Sequence, residues 1–188
     1  MVKNKLVVGV TGMPGSGKSL AVRVAKEKGY DVVVMGDVIR EEAEKRSLDP
    51  NPQNIGKIML ELRYTEGTNV IAQRCIPKIE TAKKRKVIID GIRSLKEVEE
   101  FREHFPKFSL IAIHSSPETR FKRLYKRRRS DDAGNRDVFN ERDMRELSVG
   151  LGSAVAMAEH VIVNEEPMGV VKEKIGKVLE KVERKWTK

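Results

Sequence analysis

Residues 12–19 read Gly12-Met13-Pro14-Gly15-Ser16-Gly17-Lys18-Ser19, and Lys5-Leu6-Val7-Val8-Gly9-Val10-Thr11 leads into them. The octet fits G-x-x-x-x-G-K-[S/T] between a β-branched apolar run and a helical pattern, which is the context that pattern needs. Its glycines let successive amides turn into one concavity, and the following helix aims its positive end at the same spot, so a polyphosphate fits there. Lys18 then reaches the β- and γ-phosphates, and the Ser19 hydroxyl is placed to ligate Mg²⁺. A glycine-rich strand-to-helix turn with no ligand is the bland alternative. The lysine, the hydroxyl and both flanking elements together favour the phosphate loop, so Gly12, Met13, Pro14, Gly15, Ser16, Gly17, Lys18 and Ser19 are the expected polyphosphate-binding residues.

Outward from the loop, 188 residues are most simply one domain spanning 1–188. Hydrophobic residues make up 39% and charged residues 35%, with a formal net charge of +10. That balance describes a globular protein with an ion-dense surface, and it favours anionic partners without choosing among them. The opening residues lack an apolar signal region and no run of 18 apolar residues occurs, so the sequence predicts a cytoplasmic protein without a membrane segment. Cys75 lies on an apolar helical stripe with Ile71, Ile76 and Ile79 and reads as a small core residue rather than a nucleophile.

Short apolar runs at Leu6 to Val10, Val32 to Met35, Val87 to Ile89, Leu110 to Ile113 and Val161 to Val163 alternate with helical patterns. Runs without polar alternation suit parallel strands covered on both faces, and ligands of such sheets lie beyond the strands' carboxyl ends. There the second run delivers Asp37, expected to cap a helix, with Arg40 one turn on. The third delivers Asp90-Gly91-Ile92-Arg93, where an acid can anchor Mg²⁺ through water and Arg93 can enter the same crevice. A cap with a surface arginine, and an Asp-Gly turn, are the plainer readings of these two sites. Their position beside the phosphate loop favours function.

Residues 48–85, with helical stretches from Ile55 to Gly67 and Asn69 to Lys84, are long for a crossover and read as a small helical lobe covering a substrate. Arg63 and Arg74 are its cations, at spacings that equally suit ordinary surface arginines. Later, Arg120, Arg123, Lys126, Arg127, Arg128 and Arg129 crowd one helix, and Arg142 and Arg145 follow on another. Such a cluster fits a nucleic-acid stripe, a solvated face or a phosphate clamp. Guanidinium forks on the ligand side of the sheet favour the clamp.

These residues give the chain a likeness to the P-loop nucleoside monophosphate kinase superfamily. Over nearly its whole length it resembles an archaeal family described as adenylate-kinase-related or dephospho-coenzyme-A-kinase-like. Met35-Gly36-Asp37-Val38-Ile39-Arg40 resembles the adenylate kinase segment that binds the acceptor nucleotide's phosphate. Ile89-Asp90-Gly91-Ile92-Arg93 resembles the Asp-Gly-Phe-Pro-Arg stretch, without its proline and with its arginine one position early. Arg123 and Arg127 resemble paired lid arginines, and Arg129-Ser130-Asp131-Asp132 with Arg142 resembles the segment that closes the lid, here a short region over 127–146. Residues 158–164 resemble instead the carboxyl end of dephospho-coenzyme A kinases, in which the aspartate matching Asp37 is the proposed base.

The resemblance implies a P-loop NTPase α/β fold: three α/β/α layers, a five-stranded parallel sheet, a small helical insertion and a short lid. It implies a kinase that uses ATP and Mg²⁺ on a small nucleotide-like acceptor. Lys18, Asp37, Arg127 and Arg129 are then the expected catalytic residues; Asp37, Arg40, Arg93, Arg123 and Arg142 hold substrate; Ser19 and Asp90 serve the metal. A nucleotide-switched ATPase acting with RNA or a protein partner is the alternative of a different class. No Asn-Lys-x-Asp motif points to guanine.

Overall fold

The structure is a computed structural model that describes residues 4–127 and 135–186. Among them one sheet holds β1 (Leu6–Thr11), β2 (Asp31–Val34), β3 (Lys86–Ile92), β4 (Phe108–His114) and β5 (His160–Val163), all parallel, in the order β2-β3-β1-β4-β5. The first helix, α1 (Lys18–Glu27), leaves the phosphate loop, and α2 (Met35–Lys45), α3 (Pro52–Glu66) and α4 (Val70–Glu80) separate β2 from β3. After β3 come α5 (Leu95–His104), then α6 (Pro117–Arg127), α7 (Arg136–Val149) and α8 (Leu151–Ala156), with α9 (Met168–Trp186) last.

Period-two alternation along the central strands builds the three layers. Val7, Val87, Ile89 and Leu110 pack on the side of α2, α3, α4 and α5. Val8, Val10, Ile88, Ile111 and Ile113 pack on the other side, against α1 and α9. Because helices cover both faces, β1 is buried along its length and β4 up to its last residue. Edge strands depart from the expected two-sided cover, since the sheet ends there: Val161 and Val163 of β5 are 56% and 50% exposed.

Several boundaries differ from the sequence reading: α3 begins at Pro52 rather than Ile55, and α4 ends at Glu80 rather than Lys84. Met35 does not end the second strand; it starts α2, where its buried side chain joins the core. The helix is capped by Val34 without a side-chain bond, so Asp37 falls inside the first turn rather than at the cap. Helices α3 and α4 share the core of the sheet: Ile58, Met59, Leu62, Ile71, Cys75 and Ile79 belong to the same cluster as Val7 and Ile89. Burial pushes the Cys75 thiol up to about 12, which fits a packing residue.

Strand order reverses at β1 and β3. The connection from β1 runs toward β2 while that from β3 crosses to β4, which opens a crevice at their carboxyl ends.

Candidate functional site

The phosphate loop lies at that crevice. Gly12 has φ 141°, and a Cβ there would sit 2.2 Å from the Ile113 carbonyl oxygen. Gly17 has φ 99°, and a Cβ there would meet Asn164 Nδ2 at 2.0 Å. Side chains are thus excluded by both conformation and space, which keeps the loop's backbone bare. Gly17 caps α1 without a side-chain hydrogen bond, and the first turn of α1 holds no acid. The positive end of the helix is left for an external anion.

Around the loop, Asn164 Nδ2 donates to the Ser16 carbonyl at 2.8 Å and Ser115 Oγ donates to it at 3.2 Å. Arg123 Nη1 donates to Ser115 Oγ at 2.9 Å, and Arg123 Nη2 to the Asn164 carbonyl at 2.9 Å. Arg120, counted in the sequence among the clamp cations, is buried. Its Nη1 reaches the Pro14 carbonyl at 3.1 Å and Asp143 Oδ1 at 2.8 Å, and its guanidinium carbon lies 4.9 Å from the Phe139 ring centroid. It braces the loop against α7 and does not face a ligand.

Lys18 Nζ folds back onto the Gly12 carbonyl at 2.7 Å and that of Met13 at 3.2 Å. Burial lowers its pKa to about 8; Asp90 and Glu146 pull it up, while Arg93 and Arg142 push it down. These charges therefore converge on one place. Asp90 lies within β3, not after it, and a register shift opposite Val10 and Thr11 leaves Gly91 as an extra residue. Bulges of this kind re-aim neighbouring side chains. Asp90 Oδ1 is buried and takes no hydrogen bond. Burial raises the carboxyl pKa, against the pull of Lys18, Arg93 and Arg40.

A cleft of about 230 Å³ is lined by Lys18, Ser19, Asp90, Arg123 and Arg127, together with Gly15, Gly17 and Leu124. A wider one of about 510 Å³ continues from Gly17 and Ser19 past Leu20, Arg23, Asn164, Glu166 and Met168. Among the described residues no three His, Cys, Asp or Glu side chains gather to hold a metal alone. A hydroxyl and an orphaned carboxylate oxygen are hard donors, and they fit a Mg²⁺ that keeps most of its shell from water and phosphate.

Near Asp90, Arg40 pairs with Asp37. Arg93 Nη1 donates to both Glu146 oxygens, at 2.8 and 2.9 Å, and its backbone N–H donates to Glu97. Arg63 pairs with the buried Glu97 at 2.6 Å, and Arg74 with Glu42 and Glu66. Arg142 acts on Lys18 through its charge, whereas Arg129, with Arg128, Ser130, Asp131 and Asp132, lies outside the described residues. Asn164 stands just past the last apolar run, where the strand-end rule points. No pattern in the sequence announces Glu97 or Glu146.

A UPF0200 protein of Methanocaldococcus jannaschii is 52% identical to this chain over 163 residues, 86% of this chain and 82% of its own. The chain belongs to the UPF0200 family. Residues 11–143 of this UPF0200 chain also match the AAA domain family. Among solved structures, a Thermus thermophilus protein superposes with TM-score 0.65 at 17% identity, over 95% of this chain and 98% of that one. Shikimate kinase from Acinetobacter baumannii, in complex with shikimate, superposes with TM-score 0.59 at 12% identity, over 97% and 96%. At such identities the likeness is one of fold. This UPF0200 chain thus shares the α/β fold of these neighbours, with its phosphate-loop motif after the first strand.

Proposed function

We propose that the chain is an ATP- and Mg²⁺-dependent phosphotransferase that moves the γ-phosphoryl group to a small nucleotide-like acceptor, a nucleoside monophosphate or a dephospho-coenzyme-A-like molecule. One observation carries this reading: Lys18, Ser19 and the partnerless Asp90 oxygen line a single cleft at an uncapped helix start. Phosphoryl transfer asks for positioning and charge neutralisation more than covalent chemistry, and these are parts of that kind.

In this reading the loop amides and Lys18 hold the β- and γ-phosphates. The wider cleft past Leu20 and Met168 takes the nucleoside. Ser19 and Asp90 would hold Mg²⁺, which supplies charge neutralisation on the phosphates when bound. Asp37 orients or deprotonates the acceptor beside Arg40. Residues 48–85 cover it, while the 127–146 region acts as a short lid that brings Arg127 and Arg129 to the transferring group. An arginine in that role is worth about 10³-fold or more in rate. Among the described residues no helix is long and apolar enough to cross a membrane, in keeping with a cytoplasmic enzyme.

The test is incubation with ATP, Mg²⁺ and a panel of AMP, CMP, dephospho-coenzyme A and RNA. Phosphorylated acceptor, lost in Lys18→Ala with an unchanged circular dichroism spectrum, is the expected result. Unchanged turnover in Lys18→Ala overturns the loop assignment. Salt-sensitive RNA retention without any phosphorylated product would support the nucleotide-switched binding protein instead.

A further inference from the structure

Two opposite charges line the wider cleft without pairing with each other. Arg23 stands on α1 one turn past Ser19 and shares the wall of that cleft with it. Among the described residues its guanidinium makes one hydrogen bond, from Nη2 to Met168 Sδ at 3.3 Å, and a thioether is a weak acceptor. Glu27, a further turn along, feels the Arg23 charge but is bonded to Lys172 at 2.9 Å. Glu166 comes from the segment that joins β5 to α9. Its Oε2 pairs with Lys174, and no described residue donates to Oε1. Elsewhere the pattern differs: Arg63, Arg74 and Arg120 each hold a carboxylate.

A guanidinium can only donate hydrogen bonds, and an ionised carboxylate can only accept them. A ligand group that satisfies both must accept and donate at once. An ionised phosphate oxygen fails this, having no hydrogen for Glu166 and a charge that repels it. A hydroxyl meets both demands, and a pair of adjacent hydroxyls does so twice. The order of parts along a bound nucleotide says which hydroxyls these are. Past the phosphates the first unit is the ribose. Past Ser19 the first polar side chain along α1 is Arg23, since Leu20, Ala21 and Val22 lie between. The i, i+4 spacing sets Ser19 and Arg23 roughly 5–6 Å apart at Cβ, the scale of one sugar unit.

We propose that Arg23 and Glu166 read the ribose hydroxyls of the bound nucleotide, so that the site selects ribonucleotides over deoxyribonucleotides. Arg23 donates to the hydroxyl oxygens, and the hydroxyls donate to Glu166. Both side chains lie outside the cleft that holds Lys18 and Asp90, so they determine specificity without taking part in phosphoryl transfer. The proposal rests on the nucleotide-binding part of the phosphotransferase reading and adds the class of sugar to it.

The full chain and its Arg23→Met and Glu166→Ala variants are titrated with ADP and with 2′-deoxy-ADP, each with Mg²⁺, in a calorimeter. Wild type binds ADP about tenfold tighter than 2′-deoxy-ADP, the low end for hydrogen bonds to charged groups, as suits side chains that stay in touch with water. In each variant the preference falls to within about twofold. A change in the field at the phosphates acts on both ligands alike and cancels in their ratio. Equal affinity for the two ligands in wild type overturns the proposal. So does a tenfold preference that survives either substitution, which assigns sugar selection to other groups. Both of these results leave the nucleotide site standing, whereas binding of neither ligand to wild type removes the site and the proposal together.

Discussion

Asn164 Nδ2 and the Ser16 carbonyl oxygen lie 2.8 Å apart, joining the end of β5 to the phosphate loop across 148 residues. Ser115 and Arg123 complete the clasp. Asn164→Ala removes a neutral donor worth about 1 kcal/mol, so nucleotide affinity should fall roughly fivefold while the melting temperature changes little. Calorimetric titration with an ATP analogue checks this, and an unaltered Kd would show the clasp to be irrelevant to binding.

Gly17→Ala should be more severe. The added Cβ meets Asn164 Nδ2 at 2.0 Å in a backbone with φ 99°. Strain of this sort is worth about 1–3 kcal/mol, and it falls where the proposed function has the loop cradle phosphate. Thermal denaturation is expected to move down and ATP-analogue binding to be lost; a variant that binds normally excludes this loop geometry.

Arg120 and Asp143 form a mostly buried pair that also reaches Pro14. Arg120→Met strands the carboxylate and should destabilise by about 3–5 kcal/mol in urea titrations. Adding Asp143→Leu should restore most of the stability. Nucleotide affinity should remain low in the double variant, because the Pro14 carbonyl has still lost its donor. Full recovery of affinity would make the arginine a stability residue alone.

Lys18 provides a pH signature. Its pKa in the free protein is lowered to about 8. In the proposed function the ammonium form binds polyphosphate, and the bound anion would raise that pKa in the complex. Affinity is therefore full below about pH 8 and falls above it, by up to about tenfold per pH unit, until the bound lysine titrates as well. Asp90→Asn removes a charge that raises the Lys18 pKa, so the fall should begin at lower pH. Titrations from pH 7 to 10 read the onset; a flat wild-type profile excludes Lys18 as the binding cation.

Local chemistry explains what could be read ahead of the coordinates. The phosphate loop and β1 are written in contiguous residues whose apolar run or glycine pattern has one structural solution, and β1 begins at Leu6 as the run from Leu6 to Val10 predicts. Met35 was ambiguous because an apolar residue serves equally as a strand end or as the buried first turn of a helix. Arg120 was misassigned for a different reason. Charge density along α6 does not say which arginine turns inward, and its partner Asp143 is 23 residues away on another helix. Glu146 and Glu97 were invisible on the same ground, since an acid buried against a distant arginine looks like any surface acid until the fold brings the two together.

The span of the Ser16–Asn164 bond also bears on biosynthesis. Ser16 leaves the ribosome long before Asn164, and β1 gains its neighbours β3 and β4 well ahead of β5. A nascent chain therefore displays its nucleotide motif while the strap that tensions it is still untranslated. The loop's anchor at Asn164 therefore arrives with the final strand and not with synthesis of the motif.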